Sequence, residues 1–238
     1  HLFRSLDRGD HWMIVSPDLT TNDKKKLPSM YGGTDKPTGG ITPDVTGAET
    51  HCTIITVSES PKVPGLIWVG TDDGNVQVTR NGGASWTNVR PNIKGVPPGI
   101  WCSRVEASRF DEGTCYVTFE GHRSDDFHPY VFKTADFGKT WTPISAGIPD
   151  GHCVYVIRED LVNKNLLFLG TEFSVFFSRD AGATWSSLRL NMPTVAYHDL
   201  LIHPREHDLI AATHGRGFWI LDDISALRKP TPQVLGPD

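Results

Sequence analysis

Acidic and imidazole groups recur at the ends of β-rich runs in this sequence, as Thr71-Asp72, Phe119-Glu120, Thr171-Glu172 and Thr213-His214. Each offers a proton-active group, and paired carboxylates cleave glycosidic bonds when they stand about 5.5 Å or about 6.5–9.5 Å apart. A denser group follows Glu120 in Gly121-His122-Arg123-Ser124-Asp125-Asp126-Phe127-His128-Pro129. Such a mixture of His, Asp and Arg suits metal or carbohydrate contacts. Glu120, Asp125, Asp126 and Glu172 are therefore the candidate catalytic carboxylates. Asp72, Asp73, His122, Arg123, His128, His214 and Arg216 are candidate ligand contacts, with Arg216 able to pair with the carboxylates or hold an anion. The competing reading needs no ligand: an acidic residue after a strand commonly hydrogen-bonds the turn backbone.

What positions these groups is a repeat. Four octapeptides share the form Ser/Thr-x-Asp-x-Gly-x-Ser/Thr-Trp: Ser5 to Trp12, Thr79 to Trp86, Thr134 to Trp141 and Ser178 to Trp185. The Asp side chain can accept neighbouring backbone N–H groups, and the Gly supplies the positive φ of a tight turn. Each copy follows one short β-rich run and opens another with its Trp, which is a hairpin signal. Asn81 replaces the Asp in the second copy, and His11 replaces the Ser/Thr in the first, so weaker turns are expected there.

The fixed spacing decides the fold. Units of about 40–50 residues, each with room for four strands, predict the blades of an all-β, antiparallel β-propeller. The second blade reads as 52–58, 66–70, 75–79 and 85–89, and the third as 102–107, 114–120, 130–134 and 140–144. The fourth reads as 153–158, 166–170, 174–178 and 184–189, and a fifth begins with 198–203, 208–213 and 217–221. Residues 1–226 would then be a propeller segment, opening on the end of one blade and closing on the start of another, with 227–238 as a tail or linker. In this topology the Trp-ended corners join third and fourth strands, and ligand contacts are expected on the opposite face. The long polar connection 17–50, which includes Asp44 and Glu49 as further candidate contacts, enlarges that face.

The octapeptide, carried by Asp7, Gly9, Trp12, Asn81, Gly83, Trp86, Asp136, Gly138, Trp141, Asp180, Gly182 and Trp185, resembles the Asp-box, or bacterial neuraminidase repeat. That repeat occurs in sialidases, sortilin-type receptors and several glycoside hydrolase families. The segments Gly70-Thr-Asp-Asp-Gly74, Gly170-Thr-Glu172, Ala212-Thr-His-Gly-Arg216 and Trp219-Ile-Leu-Asp-Asp223 extend the likeness to large secreted bacterial propellers described as sortilin-like or glycosyl-hydrolase-like. The resemblance implies further blades, a secreted, periplasmic or cell-surface location, and no set reaction. A sialidase would need an arginine triad, a Tyr nucleophile with a Glu partner and an acid/base Asp, and the arginine motif of the first blade is not found.

Composition narrows the classes. With 238 residues, 38% hydrophobic, and a net charge of −5, the chain suits a soluble globular fold and lacks the basic surface of a nucleic-acid binder. No apolar run of about 18 residues spans a membrane. Cys52, Cys102 and Cys153 read as equivalent first-strand positions, which suggests buried thiols packed between blades rather than a metal ring. No metal and no cofactor is assigned. The leading expectation is a noncatalytic recognition or scaffold module binding a peptide, a glycan or its own remaining blades, and the alternative is a glycan-cleaving hydrolase.

Overall fold

The computed structural model describes residues 1–27 and 51–229. Asp44 and Glu49, with most of the 17–50 connection, and the tail beyond Lys229 lie outside the described residues. The strands form separate antiparallel sheets in chain order. Blade one has β1 (Phe3–Arg4) and β2 (Met13–Ile14). Blade two has β3 (Ile54–Glu59), β4 (Ile67–Thr71), β5 (Val76–Thr79) and β6 (Thr87–Asn88). Blade three has β7 (Trp101–Ala107), β8 (Cys115–Gly121), β9 (Asp126–Thr134) and β10 (Thr142–Pro143). Blade four has β11 (Val154–Glu159), β12 (Leu167–Thr171), β13 (Val175–Ser178) and β14 (Ser186–Ser187), and blade five has β15 (Tyr197–Ile202), β16 (Leu209–Thr213) and β17 (Phe218–Leu221).

The second strands are apolar without alternation because both their faces are covered. Every residue of β4, β8 and β12 is buried, as expected for sheets sandwiched between neighbours. One apolar layer, with Trp68, Val78, Val105 and Phe119, joins blades two and three. Tyr116, Ile144, Ile157 and Trp185 belong to the layer between blades three and four, and Val156, Phe168, Tyr197 and Leu200 to that between four and five. Each large side chain so buried contributes about 1.5–3 kcal/mol.

The four corners close through one set of bonds. The first-position hydroxyl (Ser5, Thr79, Thr134, Ser178) donates to the Asp or Asn two residues on and accepts the glycine N–H at 2.7–3.0 Å. The Asp or Asn accepts the N–H of the seventh residue at 2.8–2.9 Å. The two variant copies make these bonds as completely as the others: Asn81 keeps the acceptor oxygen, and the His11 ring replaces the hydroxyl on Asp7. At the third corner, the donors from Thr140 hold the Asp136 carboxyl down at about 2.

Two expectations change. The third strand of blade three does not wait until residue 130: β8 and β9 extend, Gly121 pairs with Asp126, and only a 3-10 turn at His122–Ser124 separates them. The cysteines do not share a register. Trp101 lies opposite Glu120 and the Cys153 carbonyl accepts the Glu172 N–H, so Cys153 matches Trp101 while Cys102 sits one residue further along. All four cysteines are free thiols, and burial pushes that of Cys153 up to about 11.

Candidate ligand-binding site at the inner-strand mouth

Each first strand carries a one-residue β-bulge near its start, between Ile54 and Thr56, Trp101 and Arg104, Val154 and Val156, and Tyr197 and Asp199. A bulge bends its strand and re-aims a side chain. In blades four and five the extra residues are Tyr155 and His198, whose rings stack at 4.3 Å with planes 17° apart. Glycine on the adjoining second strand makes room: a Cβ on Gly170 would stand 2.5 Å from the Tyr197 carbonyl oxygen.

The first strands face inward. Arg104 of β7 reaches past blade four to Asp199 of β15 at 2.9 Å, and Arg158 of β11 holds the same Asp199 oxygen at 2.8 Å. Arg158 also binds Glu106 at 2.8 Å and the Leu200 carbonyl at 2.7 Å. These charges form a neutral tier tying three blades together just below the bulges.

Above that tier, the four strand-end residues share one register. The Asp72, Glu172 and His214 N–H groups donate to the Thr53, Cys153 and Ala196 carbonyls, and Glu120 pairs with Trp101. Three of the four reach a common row. Tyr155 donates its hydroxyl to Glu172, the His214 ring lies 5.1 Å from that of His198, and the His122 ring lies 6.2 Å from that of Tyr155. Glu120, 3% exposed at its side chain, accepts the His122 N–H at 2.7 Å, the His122 ring and Arg123 at 2.9 Å. The Arg123 guanidinium lies 3.8 Å over the Trp101 ring. Burial and the neighbouring His214 keep the His198 imidazole below the usual histidine range, while burial and the bond to Glu172 raise the Tyr155 phenol.

The other candidates are placed differently. Asp72 and Asp73 are buried: Asp72 accepts the Thr53 N–H at 2.7 Å, and Asp73 accepts Thr21 N–H and O–H at 2.6 and 2.8 Å. Asp73 ties the 19–22 segment to blade two, Asp72 holds the approach to that blade's own first strand, and neither joins the row. Burial, then the charge of Asp73, push the Asp72 carboxyl up to about 6. Asp125 is an exposed turn residue in the left-handed region, φ 58°. Asp126 accepts the Tyr130 hydroxyl at 2.8 Å, and His128 stands 3.5 Å from Asp150. Arg216 is exposed on the β16–β17 turn and pairs with no carboxylate among the described residues. His203 accepts the Glu206 N–H at 3.1 Å, a turn-capping role. No three His, Cys, Asp or Glu among the described residues converge as a metal-ligand set.

No family model matches the sequence, and no curated protein matches it. Solved structures do. A GH74 xyloglucanase from Xanthomonas campestris is 19% identical, with TM-score 0.59 over 97% of this chain and 34% of its own. YCF48 bound to D1 peptide is 18% identical, with TM-score 0.51 over 71% of this chain and 51% of that one. The extracellular domain of BT4673 from B. thetaiotaomicron is 12% identical, with TM-score 0.54 over 78% of this chain and 22% of that one. The fold is a β-propeller. The chain spans about half or less of each of these proteins, and identities this low speak for architecture alone.

Sequence reasoning missed Tyr155 and the Arg104, Glu106, Arg158 and Asp199 tier. A signal existed: aligning first strands on the register of the second-strand ends puts Ile55, Ser103, Tyr155 and His198 at one position.

Proposed function

We propose that this propeller is a noncatalytic recognition module whose ligand, a peptide or glycan, binds across the inner-strand mouth opposite the Trp-ended corners. The observation that carries it is the row Glu120, His122, Tyr155, Glu172, His198 and His214, contributed by three successive blades and held by mutual contacts. Stacked rings flanked by carboxylates suit a ligand with one flat apolar face and several hydroxyl or amide donors. YCF48 bound to D1 peptide offers a precedent for peptide binding by a propeller of this kind. The likeness of the corners to the Asp-box favours an exported protein. The test is a glycan array and a peptide array probed with the chain. Binders lost on His198→Ala and Glu172→Ala and retained on Lys164→Ala, which alters the strand-turn end, support the site. Binding unaffected by both mouth substitutions removes it.

A second reading, glycan hydrolysis, has one observation in its favour: Tyr155 and Glu172 form the hydrogen-bonded Tyr–Glu pair that sialidase chemistry uses. Against it, Glu120 already holds three donors, which leaves it poorly placed as a proton donor. Release of reducing sugar from polysaccharides or sialosides, abolished by Glu172→Gln, would establish turnover.

A further inference from the structure

The joints between successive blades repeat one contact. The glycine of each corner lies against the residue just after the fourth strand of the preceding blade. A Cβ on Gly83 would stand 2.1 Å from the Val15 carbonyl oxygen; one on Gly138, 2.8 Å from Val89; and one on Gly182, 2.8 Å from Ile144. Val15, Val89 and Ile144 each follow β2, β6 and β10 directly, and all three are β-branched. The corner Trp completes the joint. Trp86 donates its indole N–H to the Val15 carbonyl at 3.0 Å, and Trp185 donates to the Ile144 carbonyl at 2.6 Å. Trp141 packs edge-on against Trp68 of the preceding blade instead. Two residues before each corner, Phe132 and Phe176 are buried at 5% exposure in the same layers, while Gln77 donates to the Leu19 carbonyl at 2.6 Å.

Blade one presents the same three positions uncovered. Phe3 holds the register of Phe132 and Phe176 at 50% exposure, and Trp12 is 63% exposed. A Cβ on Gly9 would meet only Trp12 itself, at 3.8 Å. The opposite face of the blade is used: Leu2 packs with Leu19, Ile67 and Val69, and Arg4 reaches Glu59. Met13 and Ile14 add apolar surface at 50% and 62% exposure. Phe3, Gly9 and Trp12 thus reproduce the docking side of a joint whose other side is open.

We infer that this face of blade one docks a further propeller blade, one whose fourth strand ends on a β-branched aliphatic residue that seats against Gly9 and gives its carbonyl to the Trp12 indole N–H. The series of joints within the chain defines the partner, and the inference is independent of the ligand proposed for the mouth. Among the described residues, a second copy of the chain has no free fourth-strand end to supply. Val15, Val89 and Ile144 are already seated, and Leu188, which follows β14, is buried in the layer beneath blade five. No fourth-strand end is therefore left to offer among the described residues.

The experiment places the photo-crosslinker p-benzoylphenylalanine at Trp12, and as a control at Val162, a strand-turn residue 59% exposed, in the protein as its native cells produce it. After irradiation, mass spectrometry identifies the joined peptides. The expected result is an adduct at position 12, lost when Gly9 is replaced by Val and not formed from position 162. Its partner peptide carries a short strand ending in Val or Ile, downstream of another Ser/Thr-x-Asp-x-Gly-x-Ser/Thr-Trp corner. No adduct, a partner peptide without that pattern, or a partner peptide from a second copy of this chain would each overturn the inference.

Discussion

Replacing corner glycines with alanine separates the cost of the turn from the cost of the joint. Gly9, Gly83 and Gly182 sit at φ 102°, 100° and 94°, so each alanine carries a similar backbone strain, about 1–3 kcal/mol. The loss of unfolded-state freedom is also common to all and cancels in comparison. What differs is the space. At Gly83 the new methyl would fall 2.1 Å from a backbone oxygen, which cannot turn aside. At Gly182 it meets Ile144 Cδ1 at 2.8 Å, which can rotate at some cost, and Ile144 Cβ at 3.1 Å, which must shift by a few tenths of an ångström. At Gly9 it meets nothing closer than 3.8 Å. Overpacking of a tight contact adds about 1–3 kcal/mol, so the order of destabilisation is Gly83→Ala, then Gly182→Ala, then Gly9→Ala. The spread between first and last is roughly 2–3 kcal/mol on the same scale. Urea titrations of the 238-residue chain, followed by Trp fluorescence, read these differences as midpoint shifts at constant slope. Equal losses at Gly9 and Gly83 in that chain would refute the idea that blade contact, rather than turn geometry, sets the cost. In a protein carrying the docked blade, Gly9→Ala should rise toward the Gly83 value.

Two pH effects follow from the titrating groups. The folded Asp72 carboxyl, raised to about 6 from 3.8, adds stability below pH 3.8 that is lost as pH rises through 6, because the unfolded chain gives up its proton first. Asp72→Asn should therefore stabilise the chain at pH 7 by up to about 3 kcal/mol, the gain shrinking as pH falls and vanishing only well below pH 3.8; urea melts with the same pH slope for both proteins would rule this out. His152 and His198 have the opposite sign: burial lowers both, so their contribution is complete above 6.5 and falls away as pH drops through their folded values. The melting temperature of a His152→Phe, His198→Phe double variant should fall less between pH 7.5 and pH 5 than that of the parent, and an identical fall would count against the assignment.

Much of the architecture is legible because its signals are local. A corner closes with side chains and backbone only four residues apart, so Ser178, Asp180, Gly182 and Thr184 carry their own instructions. The buried second strands declare themselves as apolar runs such as Leu167–Thr171. Outer strands are shorter than the sequence suggests: only Ser186 and Ser187 of the 184–189 run pair with β13. The last bond to β13 is the Leu188 N–H on the Val175 carbonyl at 2.7 Å, and there the Leu188 side chain enters the layer beneath the next blade, a non-local contact that no local pattern encodes.

The site itself turns on single-residue shifts, which composition and spacing do not resolve. Cys52, Cys102 and Cys153 look equivalent by counting along the chain, yet hydrogen bonding to the second strands sets Cys102 one place away from Cys153. The same one-residue freedom, taken up as a bulge, turns Tyr155 and His198 toward each other and leaves Val154 and Val156 buried on either side of Tyr155. Asp72 and Glu172 occupy matching positions, but they meet different neighbours. Asp72 has Thr53 and a closed turn at Asp73 to hold it inside, whereas Glu172 has a phenol delivered by the bulge in its partner strand. Equivalent positions in a repeat therefore diverge in chemistry according to what the adjoining first strand supplies. Removing that supply in blade four, by Tyr155→Val, should detach Glu172 from the row while leaving the blade packed.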